Sequence, residues 1–242
     1  ASRAAAQWAA LLAEGAALED ATIRQPSRTH LSCLGDLRAG PLVQSKWNQD
    51  VADGKTCYNR FTPTLSDGKN AVCGCVATAM AQVMRYHGYP TASVAPVTRK
   101  CYVQAASRGR ASVTNLTTKA GVYDWANMPL VPAAGVTDAQ CDAIGKLTSD
   151  AGISVCMGYD LGSAGGSGAF LFNVANALTG VFGYANAAYY RADEVSANAG
   201  VLQRAMFSNF DAGFPVLMGI SGDGGHAIVG DGYGYNGGTV HV

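Results

Sequence analysis

The segment GCVATAMAQVMRYHGYP, residues 74–90, limits the possible folds more than any other part of the chain. Val76, Met80, Val83 and Met84 recur at helical spacing, and Ala77, Ala79 and Ala81 keep the other sides small enough for close packing. A helix that is apolar nearly all round has no face to give to water, so it belongs inside a domain. Gly74 ahead of it and Gly88 with Pro90 behind it set its ends. The chain can surround such a helix: of its 242 residues 48% are hydrophobic and 14% charged, which excludes a disordered, solvating segment. The length fits one large domain or two smaller ones.

Charge excludes further classes. Seventeen Lys and Arg against seventeen Asp and Glu leave a net charge of zero with no basic block, so neither nucleic acid nor an anionic membrane is an expected partner. No run of about 20 apolar residues exists to span a bilayer. The apolar start, residues 4–13, has no basic flank and is interrupted by Gln7 and Trp8, so it does not read as a signal peptide. Residues 4–21 read as a helix, and 24–40 as a polar, exposed connector. Further helices are expected at 137–151, capped by Thr137 or Asp138, at 169–182 and at 198–211. A Gly/Ser loop occupies 162–168. Short β-type runs follow at 215–220, 227–230 and 239–242. Helices first and strands last predict an α+β fold rather than alternating βαβ units.

Seven cysteines are an odd number, and an unpaired thiol needs a reason. Cys75 opens the central helix, where free backbone N–H groups and the helix dipole favour a thiolate. A thiolate nucleophile also needs a proton partner, usually His. Of four histidines, His226 stands between a glycine-rich loop, residues 222–225, and the apolar run 227–229. His87 ends the central helix, where a protonated ring is favourable for structural reasons alone. His30 falls in the connector and His241 near the end. On residue types alone, Cys75 reads either as a packed core thiol or as a nucleophile. Cys73 with Cys75 has no second Cys/His cluster to complete a zinc site, and no Lys-Ser/Thr follows the 162–168 glycines as a phosphate loop requires. No metal or cofactor is expected.

Residues 74–90 closely resemble the active-site segment of the streptopain family, bacterial papain-like cysteine peptidases of family C10. The resemblance continues in order along the chain. Pro41-Leu42-Val43, Trp47-Asn48-Gln49 and Tyr58-Asn59 resemble the family's entry to its peptidase domain. YDWANMP at 123–129, DAGISV at 150–155 with Met157 and Tyr159, and GSAG at 162–165 resemble its middle segments. GGHAIVGDG at 224–232 resembles its histidine segment. The resemblance implies a papain-like fold of two halves, helical around Cys75 and antiparallel β around His226. It implies a secreted bacterial endopeptidase acting on proteins or peptides. Cys75 would be the nucleophile, His226 its partner, and Gln49 the oxyanion-hole glutamine beside the Cys75 amide. Ser163 and Gly225 match positions that hold substrate backbone.

The sequence departs from the family at both ends. Residues 1–40 resemble the last helix and linker of an inhibitory propeptide, with 41–242 as peptidase domain, so a zymogen or partly processed form is expected. The chain stops at Val242, before the family's Asn and Trp that orient and shield the imidazole, so the C-terminal part of the domain is expected to be missing. Asp231 is no substitute, since five residues along one strand put it on the face opposite His226. Cys73 is unusual for the family and reads either as a partner for Cys57 or Cys101 in a structural bridge or as a thiol that forms a reversible disulfide with another cysteine. Two other functions remain open. One is a catalytically silent fragment or pseudo-enzyme that binds or inhibits. The other is a Cys–His acyltransferase on the same fold.

Overall fold

A computed structural model describes residues 34–65, 67–103, 112–159, 166–191, 200–221 and 225–242. The helix expected at 4–21 lies outside these residues. The chain divides into two units, one of residues 1–43, 191–216 and 230–242, the other of 44–190 and 217–229.

In the larger unit, α1 (Cys75–His87) runs through the centre as its composition requires, with Val76 to Ala81, Val83 and Met84 all buried. Gly88 ends it in the left-handed conformation, its amide bonding back to the carbonyls of Arg85 and Met84. Helix α2 (Asp138–Ser154) packs on α1 and brings Ile144, Leu147 and Ala151 into the same core as Met80 and Met84. Its start was legible: the Thr137 hydroxyl accepts from the Gln140 amide while the Gln140 side chain accepts from the Thr137 amide. The helix runs three residues beyond the expected end, to Ser154. Its buried Asp150 holds the 119–123 loop by accepting from the Lys119 and Ala120 amides and the Tyr123 hydroxyl, at 2.6, 2.9 and 2.8 Å.

Five strands in this unit precede those the sequence signalled, so strands are interleaved with the helices rather than following them. The short ribbon β2 (Val51–Ala52) and β3 (Lys55–Thr56) pairs antiparallel. Strand β4 (Thr98–Val103) pairs antiparallel with β5 (Ser112–Thr117), residue for residue from Thr98 opposite Thr117 to Val103 opposite Ser112. On its other side β4 lies parallel to β6 (Gly158–Tyr159), which directly follows α2. Helix α3 (Phe172–Gly180) is shorter than the expected 169–182 and seats Val174 and Ala177 in the core.

In the smaller unit, helix α4 (Gly200–Asp211) matches the C-terminal boundary expected for it. Strands β7 (Val216–Ser221) and β8 (Gly225–Gly230) pair with each other, with residues 217–229 in the larger unit. Strand β1 (Asp36–Ala39) joins β9 (Tyr233–Asn236) and β10 (Thr239–His241) in an antiparallel sheet of order β1-β9-β10. Residues 36–39 therefore form a strand where the sequence predicts exposed connector. Four residues carry too little alternation to signal a strand, and pairing with β9, about 200 residues later in sequence, supplies what the local pattern lacks. Phe207 of α4 stacks on Tyr233 at 4.0 Å between ring centroids and covers this sheet.

Candidate active site

Backbone geometry puts Cys75 where it stands. Gly74, just before α1, adopts φ 91° and ψ 148°, a region essentially closed to side chains. A Cβ there would also lie 2.8 Å from the Met157 sulfur and 3.0 Å from the Ser167 carbonyl oxygen. Only glycine lets the chain turn this tightly into the helix. With no side chain to cap α1, the amides of its first turn stay open toward whatever lies at Cys75.

The two thiols flanking Gly74 differ sharply. Cys73 is 1% exposed, its Sγ 3.2 Å from the Thr78 hydroxyl, and burial pushes its pKa up to about 12. Cys75 is half-buried and reachable. The bridge expected between Cys73 and Cys57 or Cys101 is absent, and all six described cysteines are free thiols. Cys73 instead contacts Thr78 of α1. Cys33 lies outside the described residues.

Gln49 is brought to the same place by α1 itself. Thr78 and Gln82 are the only polar residues between Val76 and Met84, and four residues apart they share one face. The Gln82 side-chain oxygen accepts from the Trp47 amide at 3.2 Å and the Ser45 hydroxyl at 3.1 Å. The Thr78 hydroxyl lies 3.3 Å from the Asn48 carbonyl oxygen. The Gln49 carbonyl in turn accepts the Cys73 amide at 2.9 Å. Trp47 anchors the stretch in the core, its indole N–H donating to the Pro129 carbonyl at 2.9 Å. Gln82 and Thr78 thus hold residues 45–48, and two polar interruptions of an apolar helix are the sequence signal for it.

His226 and Gly225 start β8, both exposed, and the next residue, Ala227, is buried in the core that holds α1. The ribbon is tied toward Cys75 through one loop. Ser167 abuts Gly74, and four residues later the Leu171 side chain abuts Gly219 of β7. Among the described residues, a Cβ on Gly225 would meet nothing within 4 Å. No hydrogen bond joins Cys75 to His226 in this structure. Ser163 lies outside the described residues. His87 differs from expectation: packed edge-on between Tyr86 and Tyr184, it is half-buried, and burial lowers its pKa, against the protonation that the helix end favours. The Asp231 carboxylate accepts the Val43 amide at 3.2 Å, and Asp231 follows the end of β8 rather than sharing that strand with His226. Among the described residues no group of three or more Cys, His, Asp or Glu forms a metal site, and no helix is long and apolar enough to cross a membrane.

A family model described as the Peptidase C10 family matches residues 47–242, from Trp47 on the Gln49 stretch through Cys75 to the end of the chain. The chain belongs to the Peptidase C10 family. Among its relatives in that family, streptopain of Streptococcus pyogenes is 30% identical over 187 residues, covering 72% of this chain and 46% of its own length. The thiol protease/hemagglutinin PrtT of Porphyromonas gingivalis is 28% identical over 180 residues, covering 73% of the chain and 19% of its own length. The chain thus spans about half the length of the streptopains it matches. Active interpain A, a cysteine protease of Prevotella intermedia, superposes with a TM-score of 0.66 at 29% identity, covering 88% of this chain and 82% of its own. A prointerpain A fragment superposes equally well over 87% of the chain and 63% of its own length. The mixed helices and sheets of this C10 chain are therefore those of a solved cysteine protease, which bears out the α+β expectation.

Proposed function

We propose that the chain is a cysteine endopeptidase that cleaves proteins or peptides through Cys75, His226 and Gln49. The observation that carries this reading is the contrast at the head of α1. Of two thiols two residues apart, one is sealed in the core and the other is half-exposed at an uncapped helix N-terminus. Membership of a peptidase family supports reading the half-buried thiol as the nucleophile.

In this reading the Cys75 thiolate attacks the scissile carbonyl carbon, and negative charge moves to the carbonyl oxygen. The Gln49 side chain and the Cys75 amide hold that oxyanion. The bond to the leaving nitrogen breaks as His226 gives it a proton, leaving a thioester on Cys75. Water, losing a proton to His226, then hydrolyses the thioester and restores the thiol. Gly225 and Ser163 hold the substrate's backbone. The domain would be papain-like, helical around Cys75 and β around His226, and would occupy residues 41–242. Residues 1–40 would be a propeptide remnant of a secreted zymogen, a reading supported by the likeness to a prointerpain fragment.

Active-site titration with an epoxide-type cysteine-protease inhibitor tests the mechanism. One adduct per chain is expected, on Cys75, and it disappears in Cys75→Ala. His226→Ala is expected to slow labelling at mildly acidic pH. Gln49→Ala is expected to lower kcat by about 10²–10³. Undiminished proteolysis by Cys75→Ala would overturn the reading. Absence of both labelling and turnover in the unaltered chain would favour a silent binding module, and amine-transfer products an acyltransferase.

A further inference from the structure

Two thiols that the proposed mechanism does not use face each other across the larger unit. Cys57 follows β3 and Cys141 lies in the first turn of α2. Both are wholly buried, and the Cys141 side chain is among the groups that act on the Cys57 thiol. The face of α2 that carries Cys141 also grips the turn that carries Cys57. One helical turn on, a Cβ at Gly145 would lie 2.6 Å from the Cys57 carbonyl oxygen and 2.7 Å from the Arg60 Cβ, so only glycine allows the approach. The Thr148 hydroxyl donates to the Tyr58 carbonyl at 2.6 Å, and the Ser149 hydroxyl to the Phe61 carbonyl at 3.1 Å. At the rim, Arg60 pairs with Asp142 and, at 3.5 Å, with Asp138. Residues 141, 145, 148 and 149 form one stripe of the helix, so the turn that carries Cys57 is held against the helix face that carries Cys141 at several points.

We propose that Cys57 and Cys141 close as a structural disulfide while the chain folds, by exchange with a small-molecule or protein disulfide. The Cys57 thiolate attacks one sulfur of that oxidant, forming a mixed disulfide and releasing one thiol. The Cys141 thiolate then attacks the Cys57 sulfur and releases the second. The protein loses two hydrogens and the oxidant is reduced to two thiols. Exchange takes place before α2 settles on the turn, because the folded pair is out of reach of solvent and burial raises the Cys57 thiol far above its ordinary pKa. Once closed, the bond encloses the whole of α1 between its ends and is shielded from reductants. Half-buried Cys75 remains open to thiol exchange. A mild reductant would then free Cys75 without cutting the staple.

Refolding the reduced chain in a mixture of oxidised and reduced glutathione, followed by digestion without reduction and mass spectrometry, tests this. The Cys57 and Cys141 peptides are expected to be joined, lighter by two hydrogens than their sum. Mild reduction of the folded protein with an alkylating agent should label Cys75 and leave the joined pair intact. The double variant Cys57→Ala/Cys141→Ala should melt lower than the oxidised parent by roughly 5–10 °C. Both peptides recovered singly alkylated, or joined to other cysteines, would overturn the proposal. These readouts do not depend on proteolysis, so they stand whether or not the chain is a peptidase.

Discussion

At the scale of single residues, Gly74 does more to define the site than either thiol beside it. Its φ of 91° and ψ of 148°, with Met157 and Ser167 pressed against the place a Cβ would take, fix where α1 begins. On either side of it Cys73 is buried in the core and Cys75 is half-buried at the core's edge. Replacing Gly74 with Ala puts a side chain into a glycine-only conformation, which costs about 1–3 kcal/mol and is relieved only by moving the helix start. Gly74→Ala is therefore expected to lower the thermal midpoint and to slow inhibitor labelling of Cys75 at least about tenfold. Labelling at the parental rate would mean that the thiol's position does not depend on this turn. The glycine was visible in the sequence as punctuation. Its close contacts were not, because Met157 and Ser167 are more than eighty residues away.

At the scale of elements, the two central helices were readable for different reasons. Helix α1 declared itself by composition, and α2 by its first turn, where Thr137 and Gln140 satisfy each other's backbone amides. Removing the cap leaves the Gln140 amide without its acceptor, and Thr137→Ala is expected to cost about 1 kcal/mol in denaturant unfolding with an unchanged m-value. A stability equal to the parent's would show that packing alone holds α2. The β2–β3 and β4–β5 ribbons and β1 were not readable. They are short or largely exposed strands whose pairing depends on partners, and a strand of two to six residues with one wet face carries little pattern of its own. The hold of Gln82 and Thr78 on residues 45–48 belongs at this scale too. It turns a helix face into the support for Gln49.

At the scale of the whole molecule, the core is unusually rich in groups that titrate only at alkaline pH. Burial pushes the thiols of Cys73 and Cys101 and the phenol of Tyr58 up to about 12. In the unfolded chain a thiol ionises near about 8.5 and a phenol near about 10. Each of these groups keeps its proton longer when folded. Its stabilising contribution is therefore complete below the unfolded value and is lost as pH rises toward about 12. Within that window each contributes a slope of about 1.4 kcal/mol per pH unit. Unfolding free energy measured between about pH 9 and 11 is expected to fall with pH, and to fall less steeply in Cys73→Ala/Cys101→Ala. An identical slope in that variant would exclude these thiols as the source.

The sequence by itself determined the central apolar helix, where α2 starts and, through its ordered motifs, the family. These are properties of neighbours along the chain, where spacing and residue type are enough. Only the tertiary structure decided which of Cys73 and Cys75 is sealed, that Gln49 is delivered by Gln82 and Thr78, that residues 36–39 are a strand, and that Cys57 lies against Cys141 rather than bridging to Cys73. Each of those depends on burial or on a partner far away in sequence, and burial is a property of the packed chain that no local pattern encodes.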